Sequence, residues 1–213
     1  MRLKKTDKQI LFVLCALCLS NAAFSAGKEP AETLIPLWPA DSGMADPTAE
    51  DGLKPDRGDG HIRVTNVKNP TLQFFPAPAG TKPAPAVILC PGGGYSHLVI
   101  TKMTPTAKWL NERGIHAFIL RYRTPKKRTE AFMDAQRAMR IVRARAAEWN
   151  IDPDRVGIMG SSAGGHLAAR VSTGSEIEAY KPIDEIDRVS CRPDFTVLYP
   201  AYMNAGDELK KEF

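Results

Sequence analysis

The chain has 213 residues and a formal net charge of +5, long enough for one domain with a sizeable core. Most of that charge sits in residues 1–26, where Arg2, Lys4, Lys5 and Lys8 oppose Asp7. The remainder is close to neutral, which excludes a nucleic-acid partner recruited by bulk charge.

Residues 1–5 are basic, 10–19 are apolar and 22–26 are small. This layout predicts a secretory signal peptide over 1–26, cut near Ser25 or Ala26, and export to the periplasm or beyond the cell. The apolar stretch is too short for a stable membrane anchor, and Leu14 and Leu17 before Cys15 and Cys18 do not fit a lipoprotein site. Residues 27–60, rich in Pro, Gly and Asp around Trp38, read as an extended N-terminal arm. A domain over 61–213 follows.

Residues 61–65 and 71–75 alternate apolar and polar positions, as half-buried antiparallel strands do. After the Pro- and Gly-containing run 76–85, residues 86–90 form an apolar strand that leads straight into Pro91-Gly92-Gly93-Gly94-Tyr95. A short helix over 106–113 ends at Gly114, and 117–120 is a buried strand. The basic residues Arg121, Arg123, Lys126, Lys127 and Arg128 read as a solvated strand exit and loop. Residues 130–149 carry Ala135, Ala138, Met139, Val142, Ala146 and Trp149 at helical spacing, with Arg137, Arg140, Arg143 and Arg145 largely off that stripe. Residues 155–159 read as a buried strand, Gly165 opens a helix, and 195–199 is a further buried strand.

Antiparallel strands followed by strand–helix alternation predict an α/β fold, mostly parallel, with helices on both faces. Right-handed crossovers then bring the Gly93 loop and the turn after residue 159 to one sheet edge.

That turn is Gly160-Ser161-Ser162-Ala163-Gly164, which fits G-x-S-x-G between a strand and a helix. Such a turn lifts the hydroxyl of Ser162 to its tip and leaves the amide of Ala163 open to an oxyanion. The glycine loop supplies further amides, those of Gly93 and Gly94, where negative charge would grow on a carbonyl oxygen. A phosphate cradle is disfavoured, because no Gly-Lys-Ser/Thr follows and the spacing is not G-x-G-x-x-G. Tyr95 and His97 are candidate substrate-contacting residues beside the loop. Cys90 and Cys191 are too few for a disulfide framework and read as buried free thiols, with a pairing between them left open.

The segments 90–95, 109–115, 120–123, 134–138, 152–157 and 160–166 together resemble the α/β-hydrolase superfamily. More narrowly, they resemble the secreted bacterial esterases related to acetyl-xylan and feruloyl esterases (BD-FAE-like). The resemblance implies removal of acetyl or aromatic acyl groups from plant polysaccharide or a small ester, through an acyl-Ser162 intermediate and with no metal or other cofactor. It matches Ser162 to the nucleophile and Gly93, Gly94 and Ala163 to the backbone oxyanion donors. Pro91 stands where related esterases often carry histidine.

The triad order of this fold is serine, acid, histidine. After Ser162 the one histidine is His166, a turn into the helix, where a packed, hydrogen-bonded role is expected. His61, His97 and His116 precede the serine. Asp184, Asp187 and Asp194 come before the strand that normally carries the acid. The triad acid and histidine are thus expected to be absent from this chain, and the fold to be incomplete at its C-terminus. A lipase or peptidase of the same fold, or a non-catalytic binding protein, are the competing readings.

Overall fold

The structure, a computed structural model, describes residues 34–80 and 82–201; the expected leader at 1–26 lies outside them. In chain order the strands are β1 (Leu34–Pro36), β2 (Gly52–Leu53), β3 (Arg63–Thr65), β4 (Thr71–Phe75), β5 (Ala84–Cys90), β6 (Leu98–Val99), β7 (His116–Arg121), β8 (Ile151–Ser162) and β9 (Thr196–Ala201). The helices are α1 (Thr104–Asn111), α2 (Arg128–Ala144) and α3 (Ala163–Thr173). None of the described helices is long and apolar enough to cross a membrane.

The main sheet has six strands in the order β1-β4-β7-β5-β8-β9. Pairings β1–β4 and β4–β7 are antiparallel, and β7–β5, β5–β8 and β8–β9 are parallel. The central strands are continuous apolar runs because both of their faces are covered; Val87, Ile88, Leu89, Phe118, Ile119 and Leu120 are all buried. The connection through α1 runs from β5 outward to β7, and that through α2 runs back past β5 to β8. With right-handed crossovers these opposite directions put α1 on one face and α2 with α3 on the other. Accordingly α1 packs on β7 and β4, while α2 and α3 pack on each other and on β8. This is the mostly parallel α/β arrangement, with helices on both faces, expected from the strand pattern, and it agrees with the α/β-hydrolase fold that the resemblance implies.

Several expectations need correction. The arm at 27–60 joins the fold from Leu34 on: β1 is the outer strand beyond β4, and Leu37 and Trp38 are core residues. Trp38 is fixed there because its indole N–H donates to Asp134 at 2.8 Å. The strand expected at 61–65 is formed only from Arg63, and it pairs with β2 and β6 in a separate three-stranded sheet. Upstream of it, the loop is held by the Asp59 carboxylate, which accepts from the His61 amide. The helix expected over 130–149 stops at Ala144, and a 3-10 turn, Ala146–Trp149, follows. It ends at Asn150 in the left-handed region, φ 54°.

Arg137 is not a solvent-facing residue of α2. Its side chain is buried, its Nε donates to the Leu37 carbonyl, and its two terminal nitrogens pair with Asp184 and Asp187. A buried guanidinium is tolerated only when every donor is matched in this way. Burial pulls its pKa down, and the two carboxylates more than reverse that.

Candidate active site

At the end of β8 the chain turns sharply into α3. Ser162 occupies the corner with φ 54° and ψ −120°, a conformation that side-chain-bearing residues seldom adopt. The flanking glycines are demanded by contact. A Cβ on Gly160 would fall 2.0 Å from the Gly164 carbonyl oxygen, and one on Gly164 would fall 2.0 Å from that of Cys90. The helix therefore begins hard against both its own strand and β5, and the G-x-S-x-G pattern is the imprint of that packing. Ser162 is exposed, and its hydroxyl forms no hydrogen bond with a described residue.

The glycine loop meets this corner because β5 and β8 are parallel neighbours with Cys90 opposite Gly160. A Cβ built on Gly92 would lie 3.2 Å from that of Ser162. Four of the loop's five carbonyls are engaged. That of Pro91 accepts from the Tyr122 hydroxyl at 2.6 Å, that of Gly92 from the Val99 amide at 3.0 Å, and that of Tyr95 from the Lys126 amide at 2.8 Å. The Gly93 carbonyl accepts from the amides of Ser96 and His97 and from the Ser96 hydroxyl. The amides of Gly93 and Gly94, by contrast, meet no acceptor among the described residues. That of Ala163, at the first position of α3, has no partner within its helix. Gly93 (φ 142°), Gly94 (φ 62°) and Tyr95 (φ 55°) form a run of left-handed residues, which is how successive N–H groups come to line a concavity.

Tyr95 is turned into the protein. It is 5% exposed, and its hydroxyl lies 2.8 Å from Nδ1 of His166. His166 is thus packed and hydrogen-bonded in the first turn of α3. His97 is half-buried beside the loop, with Nδ1 2.7 Å from the Ser96 hydroxyl. Burial, reinforced by the charges of Arg57, Arg63 and Lys54, lowers its pKa. Burial raises that of Tyr122 well above the usual phenol range, so its hydroxyl keeps the proton it gives to Pro91. Tyr122, Lys126 and Ser96 carry the loop, yet no spacing in the sequence marks them as its supports.

The remaining candidates lie elsewhere. Asp184 and Asp187 are committed to Arg137. Asp194 accepts from the Val156 amide and pairs with Arg143, at the far end of β8 from Ser162. His116, at the start of β7, accepts from the Ala77 amide, and His61 contacts Thr101. Cys90 and Cys191 are buried free thiols, and burial pushes both pKa values up. Among the described residues no group of three or more His, Cys, Asp or Glu side chains is placed to hold a metal ion.

The BD-FAE family model matches residues 72–191, which run from β4 through the glycine loop and the Ser162 corner to Cys191. The chain belongs to the BD-FAE family. It is 43% identical over 116 residues to an acetylxylan esterase of Xylanibacter ruminicola, a match covering 54% of this chain and 22% of that protein. Among solved structures it resembles an acetyl ester-xyloside bifunctional hydrolase from Caldicellulosiruptor lactoaceticus. There the identity is 38% and the TM-score 0.61, over 81% of this chain and 58% of the other. An esterase from Thermogutta terrifontis with propionate bound, at 23% identity and a TM-score of 0.59 over 76% of this chain and 58% of its own, shares the fold. The BD-FAE chain thus spans about a fifth of the length of the acetylxylan esterase and just over half that of the bifunctional hydrolase.

Proposed function

We propose that this BD-FAE protein is a serine carbohydrate esterase that removes acetyl or feruloyl-type acyl groups from plant polysaccharide or oligosaccharide. The observation that carries the reading is the meeting of the left-handed Ser162 with the amides of Gly93, Gly94 and Ala163 across adjacent parallel strands. In this reading the Ser162 hydroxyl attacks the ester carbonyl, and the amides accept the charge that grows on its oxygen. The sugar hydroxyl leaves, water then cleaves the acyl-serine, and the carboxylic acid departs. Ser162 bonds none of the described imidazoles, so the proton acceptor is assigned to a group outside the described residues. The activities for which the acetylxylan esterase and the acetyl ester-xyloside bifunctional hydrolase are named support the acyl-sugar substrate. The leader pattern at residues 1–26 supports export.

The test is acid release from acetylated and feruloylated oligosaccharides by the full-length protein and its Ser162→Ala variant. A loss of about three orders of magnitude or more is expected, together with an acyl adduct trapped on the Ser162 peptide of the wild type. An unchanged rate in Ser162→Ala sinks the nucleophile assignment.

A further inference from the structure

Tyr95 closes the glycine loop and His166 is the fourth residue of α3, 71 positions later, yet their side chains are joined by a 2.8 Å hydrogen bond. We propose that this bond is a strut that sets the spacing between the two halves of the oxyanion hole, making Tyr95 and His166 positioning residues. The proposal rests on the esterase reading above.

The geometry of the loop supports it. At the near end, loop and helix are in hard contact, since a Cβ on Gly164 would fall 2.6 Å from the Pro91 carbonyl oxygen. The Tyr122 hydroxyl also holds that near end, at the Pro91 carbonyl. At the far end, the Lys126 amide holds the Tyr95 carbonyl, which ties the loop to the segment after β7 but not to α3. The Tyr95–His166 bond supplies that tie. Gly92, Gly93 and Gly94 hang between the two ends, with the Ala163 amide across from them. Tyr95 also needs restraint of its own. A tyrosine in the left-handed region, φ 55°, is strained in its backbone, and without the strut the loop can relax by rotating there. The rings of Tyr95 and His166 meet edge to face at 5.8 Å, so the bond is held in a packed seat. Its donor follows the histidine tautomer, and either direction ties the same two atoms. With Nδ1 engaged by Tyr95 and the Ser162 hydroxyl bonded to no described residue, His166 supports the helix and does not serve as the base.

The experiment measures hydrolysis of p-nitrophenyl acetate and of acetylated xylo-oligosaccharide by the full-length protein. It compares wild type with Tyr95→Phe, His166→Ala, His166→Asn and the Tyr95→Phe/His166→Ala double variant, recording the thermal unfolding of each. Loosening the hole without removing a donor is expected to lower kcat about 5- to 50-fold with KM changed by less than about twofold. The double variant should be no worse than the more impaired single one. His166→Asn, which keeps a hydrogen-bonding atom near the Nδ1 position, should recover to within about threefold of wild type. Equal and near-complete loss in His166→Asn and His166→Ala would make His166 the base and overturn the proposal. Unaltered kcat in the single variants, or losses that simply track the unfolded fraction, would overturn it too. A wild type inert toward both esters removes the proposal together with the esterase reading. One that cleaves p-nitrophenyl acetate alone removes only the sugar substrate and leaves the strut test decisive.

Discussion

Gly93 and His97 approach so closely that a Cβ on the glycine would fall 1.9 Å from the His97 carbonyl oxygen. Gly94, also left-handed, would meet nothing within 4 Å. The two glycines therefore answer to different constraints. Gly94→Ala should cost only the backbone penalty, about 1–2 kcal/mol, with a modest fall in esterase kcat. Gly93→Ala must push the loop off Ser96 and His97, and is expected to lower kcat by about 100-fold, the scale of losing one oxyanion donor. Equal kcat values for the two variants would show that the tight turn is irrelevant to catalysis.

Ser162 sits at φ 54°, ψ −120°, where strain of roughly 1 kcal/mol or more is relieved by removing the Cβ. Ser162→Gly is expected to abolish ester hydrolysis while raising Tm by about 2–4 °C. Ser162→Ala should be equally inactive with no gain in Tm. Calorimetry on the two variants reads the difference, and a Ser162→Gly protein less stable than Ser162→Ala contradicts it.

Arg137 stands between Asp184 and Asp187 and is bonded to the Leu37 carbonyl, inside the protein. Arg137→Met strands the buried Asp187 carboxylate and should lower stability by about 3 kcal/mol in urea unfolding. The same arrangement predicts a pH effect. Hydrogen bonding from Arg137 lowers the Asp184 pKa, and bonds from Tyr180, Ile183 and Arg137 outweigh burial to lower that of Asp187. Depressed carboxylates stabilise fully above their unfolded value near 4, and the contribution is lost as pH falls through the folded values. Wild-type stability should therefore drop below about pH 4, and this drop should be shallower in Arg137→Met.

His116 is buried at the start of β7, and burial lowers its pKa from the ordinary 6.5 despite a backbone contact at Asn150. Below pH 6.5 the unfolded chain takes up a proton that the folded chain resists, so stability falls as pH drops from 6.5 toward the folded value. His97 shifts in the same direction. Urea midpoints should be lower at about pH 5 than at about pH 7, with part of the difference removed in His116→Gln. Superimposable curves for wild type at the two pH values would refute this.

Much of the architecture is legible along the chain. The runs over 86–90 and 117–120 are apolar because both sheet faces are covered, and Gly160 and Gly164 are small because strand and helix collide there. These are local consequences of packing, so they leave a local trace. What the chain conceals is long-range polar pairing. Nothing around Arg137 announces that Asp184 and Asp187 will close over it, so a helix residue off the apolar stripe reads as solvent-facing. Trp38 lies in a Pro- and Gly-rich stretch and becomes core through Asp134, 96 positions away. Strands of two or three residues, such as β1, β2 and β6, carry no periodicity to detect. In the site, Ser162 and the glycine loop show as motifs, whereas Tyr122 and Lys126 act through a hydroxyl and a main-chain amide that no residue pattern encodes.

The Trp38–Asp134 hydrogen bond also sets a limit on how far the N-terminus can be trimmed. Asp134 receives the Trp38 indole together with the amide and guanidinium of Arg123, and Arg123 in turn reaches the Met44 carbonyl. A protease that trims the N-terminus short of Leu34 removes none of the residues that form this assembly or β1. One that cuts past Trp38 opens the side of α2, strips a donor from a fully buried carboxylate and loosens the β7 exit that carries Tyr122. The first product is a trimmed protein; the second is a substrate for further digestion.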